Sequence, residues 1–274
     1  MLEHWMLIVK SIIIAIVEGF TEFLPISSTG HMIIVGRFIN FQGEFASLFE
    51  IVIQLGAILA VIVLFRAKIL DSFKSLNFGG SGFKLWSSLI LAFIPAGVVG
   101  LLLHDKVESL LFTPVWVAGA LLTGGVLMIF AENKYRNNNK ILTLEQVGYK
   151  EALIIGVFQC LSVLWPGFSR SASTIIGGWV MGLSSVVAAE FSFFLAIPTM
   201  IIATGYSLLK TELVMTKIEV ISLITGFIVS FVVALIVVAK FIDFLKKEPM
   251  RNFAYYRILV GLIILVLAYF KVIA

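Results

Sequence analysis

Apolar runs of bilayer-crossing length constrain this chain more than any other feature. Residues 45–65, 85–103, 114–130, 186–209, 218–241 and 253–270 are each close to the roughly 20 residues that an α-helix needs to span a hydrocarbon core. Only 13% of the 274 residues are charged and 60% are hydrophobic, whereas about a quarter of a soluble domain is charged. Backbone amides have no water to bond in lipid, so runs of this length must be helices. The expected architecture is an all-α polytopic membrane protein forming one domain, 1–274. Basic residues flanking spans report orientation rather than an acidic partner, so the net charge of +4 carries no expectation of nucleic acid. The lone Cys160 excludes an intrachain disulfide.

Two further apolar stretches end in polar residues. Residues 1–17 imitate a secretory leader, but the run continues into Glu18 without a small-residue cleavage site, so it is expected to stay. A helix over about 7–24 must end at Pro25, and Ser27, Ser28 and Thr29 can cap a new one. That second helix is short, because Arg37, Asn40, Gln42 and Glu44 follow closely. The same order recurs at 152–165, Pro166, a cap-rich turn and a short helix to Gly182. Both read as re-entrant helical hairpins, which leaves about six transmembrane helices. The connector 66–84 reads as a basic loop with a glycine hinge, 104–113 as a short loop, and 134–144 as an Asn-rich linker.

The recurrence is positional. Glu18 and Gln159 each precede their proline by seven residues, and Glu50 answers Glu190 at an offset of 140. This predicts an internal repeat, about 1–133 and 145–274. Each half would hold one hairpin and three crossings, so the second must be inverted in the membrane. Twelve Lys and Arg fall on one face, in 66–84, 134–150 and 240–251. Six fall on the other: Lys10, Arg37, Lys106, Lys210, Lys217 and Lys271. The first face is then cytoplasmic, and the N-terminal hairpin enters from outside.

Ionisable groups at membrane depth are costly, so the hairpins are where chemistry is expected. Glu18 and Glu22 share a helix face, and Ser28 and His31 are one turn apart. In the second hairpin Arg170 lies between Ser169 and Ser171, with Thr174 one turn on. A guanidinium at a helix start, among hydroxyls, matches the oxygens of a phosphate. An Arg170 pairing with Glu18 or Glu22 would be compatible with that. Glu50 and Glu190 are read either as supports for the opposite hairpin or as a structural polar pair.

The run Glu18-Gly-Phe-Thr-Glu22-Phe-Leu-Pro-Ile-Ser-Ser-Thr-Gly-His31, together with Pro166-Gly-Phe-Ser-Arg-Ser-Ala-Ser-Thr174, resembles the signature pair of the bacterial undecaprenyl-diphosphate phosphatase family, the bacitracin-resistance type. The first run matches its Glu/Gln-x-x-x-Glu motif with the following Ser and His, and the second matches Pro-Gly-x-Ser-Arg-Ser-x-x-Thr throughout. The likeness extends over essentially the whole chain. It implies hydrolysis of undecaprenyl diphosphate to the monophosphate and inorganic phosphate, recycling the lipid carrier of cell-wall synthesis, with bacitracin resistance on overproduction. It also implies the outer face of the cytoplasmic membrane and a divalent cation, Mg2+ or Ca2+.

With that substrate, Arg170, Ser27, Ser169, Ser171 and Thr174 are expected to hold phosphoryl oxygens. Ser28 is the expected nucleophile, with His31 as general base and Glu22 orienting His31. Glu18 and Glu22 are the expected cation ligands, since bare carboxylates repel a diphosphate. A phosphohistidine at His31 and a metal-activated water remain open. The partners implied are the polyprenyl diphosphate lipid and the bilayer, with a homodimer allowed. Two rival classes are a lipid transporter built on the inverted repeat and an intramembrane serine protease, which leaves Arg170 without a role.

Overall fold

A computed structural model describes residues 2–210 and 215–273. The described residues form α1 (Leu2–Thr21), α2 (Ser28–Phe38), α3 (Glu44–Leu64), α4 (Arg66–Lys74), α5 (Ser81–Leu111), α6 (Pro114–Tyr135), α7 (Tyr149–Leu164), α8 (Arg170–Val180), α9 (Ser185–Lys210), α10 (Lys217–Leu245) and α11 (Arg251–Tyr269). The chain is an all-α, multi-pass membrane protein.

Seven helices among the described residues are long and apolar enough to cross a bilayer: α1, α3, α5, α6, α9, α10 and α11. The count exceeds the expected six because α1 itself reaches crossing length. Helices α2 and α8 have 11 residues each, about 17 Å of rise, and cannot cross. Each follows a longer arm across a proline-containing turn and packs back on it.

Three connectors differ from expectation. The basic stretch after Phe65 is helix α4 rather than loop, with Ile69 and Ser72 turned inward and Lys74 in its last turn. Helix α5 starts at Ser81, runs through Pro95 and continues to Leu111, absorbing the segment read as a loop at 104–111. Packing offsets the hydrogen bond lost at Pro95. Gly156 lets α7 approach so closely that a Cβ there would collide with the Ala92 carbonyl oxygen. The linker at 134–144 is tied down, with the Lys140 and Ile141 amides donating to the Gly182 carbonyl and Ser184 N–H to Ile141 O.

Packing crosses between the halves of the chain. Helix α1 lies on α10 and α7 on α5, while α6 meets α11 and α3 meets α9. Beneath the two broken helices is a cluster of phenylalanines. Phe23 meets Phe193 edge-on at 5.4 Å, and Phe193 in turn faces Phe65 and Phe241. The two hairpin tips therefore share one apolar floor.

Candidate active site

The short helices begin alike. Ser27 (φ 71°) and Ser169 (φ 76°) both occupy a region that non-glycine residues rarely adopt. Each is an N-cap: Ser27 Oγ accepts from Gly30 N–H and Ser169 Oγ from Ala172 N–H, both at 3.3 Å. The next residue is the first of its helix, Ser28 in one case and Arg170 in the other. Backbone strain of this kind costs about 1–3 kcal/mol and persists where surrounding structure enforces it.

The two starts converge. A cavity of about 360 Å³ is lined by Glu22, Ser27, Ser28, Thr29, Ser169 and Arg170, with Gln54, Ser162, Val107, Phe112, Met200 and Ala203 among the rest of its wall. Ser28 Oγ donates to Glu22 Oε2 at 2.5 Å, and Arg170 Nη2 lies 3.5 Å from Glu22 Oε1. One carboxylate thus meets both the hydroxyl and the guanidinium. The Arg170 side chain is almost enclosed, lies over the Phe23 ring and donates to the Ser192 carbonyl, while its Nε is buried without a partner among the described residues. The expected Arg170 pairing is therefore with Glu22. The starts of α2 and α8 both reach the cavity wall, so the positive ends of two helix dipoles favour an anion there.

Other predicted residues take different places. His31 is not on the cavity wall: Nδ1 bonds the Ser27 carbonyl at 2.7 Å and Nε2 bonds Tyr256 Oη at 2.7 Å. With both ring nitrogens engaged, His31 is not paired with Ser28, and Glu22 does not orient it. Ser171, fully buried, donates to the Leu24 carbonyl and ties one hairpin tip to the other. Thr174, also buried, sits behind Arg170, with Oγ1 2.9 Å from the Arg170 carbonyl and 2.7 Å from Ser192 Oγ. Neither faces the cavity, because each hydroxyl is used inside the helix bundle.

Glu190 does not support the opposite hairpin. Both its carboxylate oxygens accept from Lys68 of α4 at 2.7 Å, an ion pair at the α4–α9 edge that the loop reading of 66–84 could not anticipate. Glu50 is half-buried near Glu18. Glu18 is fully buried and both its oxygens lack a hydrogen-bond partner among the described residues. No three His, Cys, Asp or Glu side chains among the described residues form a metal cage. Of the two expected cation ligands only Glu22 reaches the cavity wall, where its oxygens meet Ser28 and Arg170, while Glu18 lies buried behind it.

Two adjacent residues escaped sequence reasoning, Tyr256, which bonds His31, and Arg257. Arg257 of α11 is fully buried and donates to five backbone carbonyls: Pro25, Gly167, Phe168, Ala120 and Leu121. Its signal was present, since the two membrane faces account for all but two of the twenty Lys and Arg, leaving Arg170 and Arg257.

Beside the polar cavity lies a second one of about 420 Å³, lined by Phe93, Ile94, Gly97, Val98, Leu101, Ile202 and Tyr206 of α5 and α9, and sharing Val163 and Ala203 with the first.

Residues 11–263 match the family model described as bacitracin resistance protein BacA. The chain is 53% identical over 269 residues to a protein of Clostridium tetani named undecaprenyl-diphosphatase, covering 98% of this chain and 99% of that one. A Caldanaerobacter subterraneus protein of the same name is 53% identical over 267 residues, covering 97% and 98%. An undecaprenyl-diphosphatase 2 of Clostridium acetobutylicum is 47% identical over 308 residues, with both chains covered in full.

Proposed function

Because the chain belongs to the bacitracin resistance protein BacA family, we propose that it hydrolyses undecaprenyl diphosphate to undecaprenyl phosphate and inorganic phosphate. The observation that carries this reading is the meeting of Ser28, Glu22 and Arg170 at one cavity. Recycling of the lipid carrier and bacitracin resistance on overproduction follow from that reaction.

Arg170 and the α8 start bind the terminal phosphoryl oxygens, helped by the Ser27 and Ser169 hydroxyls. Ser28 Oγ forms a bond to the terminal phosphorus while the bond to the bridging oxygen breaks, and the electron pair leaves on the lipid monophosphate. The hydroxyl proton passes to Glu22, already its hydrogen-bond acceptor. Water then bonds to phosphorus as the Ser28 Oγ–phosphorus bond breaks, Glu22 returns its proton to Oγ, and the protons of the water leave on inorganic phosphate as dihydrogen phosphate. Phe23 and the protein packed behind Arg170 keep bulk water from the guanidinium. Glu22, the expected cation ligand that reaches the cavity, would help hold a divalent cation, Mg2+ or Ca2+, whose chemistry is to offset the charge of the diphosphate.

The apolar α5–α9 cavity takes the first isoprene units, and the rest of the chain stays in lipid. Val107 and Phe112, near Lys106, line the polar cavity, which supports an opening toward the face with fewer basic residues. By charge bias that is the outer face of the cytoplasmic membrane. The matched lengths and caps of α2 and α8, and the crossed pairing of α1 with α10 and α7 with α5, support two inverted halves, about 1–133 and 145–274.

Purified protein should release inorganic phosphate from a long-chain polyprenyl diphosphate in detergent with Mg2+ or Ca2+, and Ser28→Ala should abolish release. Rapid acid quench should trap phosphate on Ser28. Near-normal turnover by Ser28→Ala would rule out the serine route, and lipid movement without phosphate release would favour a transporter.

A further inference from the structure

We propose that adjacent residues of α11, Tyr256 and Arg257, are positioning residues that hold both broken-helix tips in their strained, reactive arrangement. Neither bonds Ser28 or Glu22; each acts through the backbone of the turns that carry Ser28 and Arg170.

Tyr256 acts through His31. A carbonyl can only accept, so His31 Nδ1 carries the proton bonded to Ser27 O, and Nε2 accepts from the Tyr256 hydroxyl. The two rings are nearly parallel, 4° apart with centroids at 5.5 Å, which fixes the imidazole plane. Ser27 is the strained residue, and its carbonyl is what the imidazole holds. Freed of that bond, Ser27 can relax to ordinary cap geometry, which rotates Ser28 away from Glu22.

Arg257 acts on the backbone directly. Nη1 reaches Pro25 O at 3.0 Å in the first tip, Nη2 reaches Phe168 O at 2.7 Å in the second, and Nε and Nη2 reach Leu121 and Ala120 of α6. All its acceptors are carbonyl oxygens. A buried guanidinium without a carboxylate is expensive, and what it secures here is the separation of the tips that carry Ser28 and Arg170. Gly124 leaves room for it, since a Cβ there would collide with Arg257 Nη2. Lysine, a point charge on a flexible stem, cannot span these acceptors.

The inference rests on the phosphohydrolase reading. Phosphate release by the wild-type protein secures that reading first, so the variants test only the support from α11. Tyr256→Phe keeps the ring stack and removes one hydroxyl. It should lower kcat about tenfold or more through misplacement of the nucleophile, leaving KM and the thermal midpoint near the wild-type values. His31→Ala should lower kcat similarly, and adding Tyr256→Phe to it should cost nothing further, because both act through one hydrogen-bonded chain. Arg257→Lys should lower kcat more than it raises KM. Wild-type kcat in Tyr256→Phe, even with a lower thermal midpoint, or losses that add fully in the double variant, would overturn the inference. These Tyr256 and His31 measurements decide the matter if Arg257→Lys does not fold.

Discussion

Arg170 has several partners, and each limits what can replace it. Its guanidinium faces Glu22, the Phe23 ring and the Ser192 carbonyl at once. Arg170→Lys keeps the charge but loses the fork and the guanidinium placed over the Phe23 ring. We expect kcat/KM for phosphate release to fall about a hundredfold or more, with the protein still folded by thermal melting. An unchanged kcat/KM would mean that charge alone suffices. This residue was legible in the sequence, because an arginine among hydroxyls at a proline break, inside an apolar run, is the pattern of a buried anion site. The roles of its neighbours were not. Thr174 and Ser171 stand at helical spacings compatible with a phosphate, but Thr174 bonds the carbonyl one turn back and Ser171 a carbonyl of the other hairpin. His31 misled for the same reason: one turn from Ser28 is within reach, but the ring turns toward Ser27 and Tyr256.

At the scale of elements, the caps of the short helices and the start of α11 decide how well the tips are held. Ser169→Ala should be less stable than Ser169→Gly. Both lose the cap to Ala172, but alanine also bears the cost of a positive φ, about 1 kcal/mol or more. Thermal melting of the two proteins gives the order, and equal midpoints would mean that Ser169 carries no backbone strain. Helix α11 is positioned by Glu132 of α6, whose buried carboxylate accepts from the Met250 and Arg251 amides at 2.7 and 2.8 Å. Glu132→Ala leaves those amides unpaired at a helix start, which should lower stability by about 1–3 kcal/mol. It should also reduce kcat, since α11 carries Tyr256 and Arg257; a stability loss with intact kcat would show that the tips do not depend on α11. Hairpins and caps were readable from proline and serine positions. The continuation of α5 to Leu111 was not, because the charged segment after Leu103 reads locally as a loop.

For the whole molecule, the polar and apolar cavities share a wall, so headgroup and tail recognition can be separated. Gly100 lines the apolar one, and a Cβ there would meet only Val163, at 3.8 Å. Gly100→Phe fills the space without entering the polar cavity. KM for a long-chain polyprenyl diphosphate should rise about tenfold, the scale of one displaced apolar contact, while hydrolysis of a short-chain diphosphate changes little. An equal rise for both substrates would place the tail elsewhere. The Lys68–Glu190 pair and the α5–α7 seam at Gly156 belong to this scale too, joining segments far apart in sequence.

Sequence alone determined that the chain is helical and membrane-spanning, that two proline-broken helices carry its buried polar groups, and that one tip is acidic and the other cationic. Those properties follow from the cost of unpaired amides and charges in lipid, which every residue meets locally. Only the tertiary structure decided which group accepts the Ser28 hydrogen bond, that His31 serves the backbone of Ser27, and that Arg257 joins the two tips. The first two contacts join residues 6 and 4 positions apart across the strained turn, where several side-chain directions are open until Tyr256, 225 positions from His31, takes its other ring nitrogen; the third spans up to 232 positions, and where helices pack sets it.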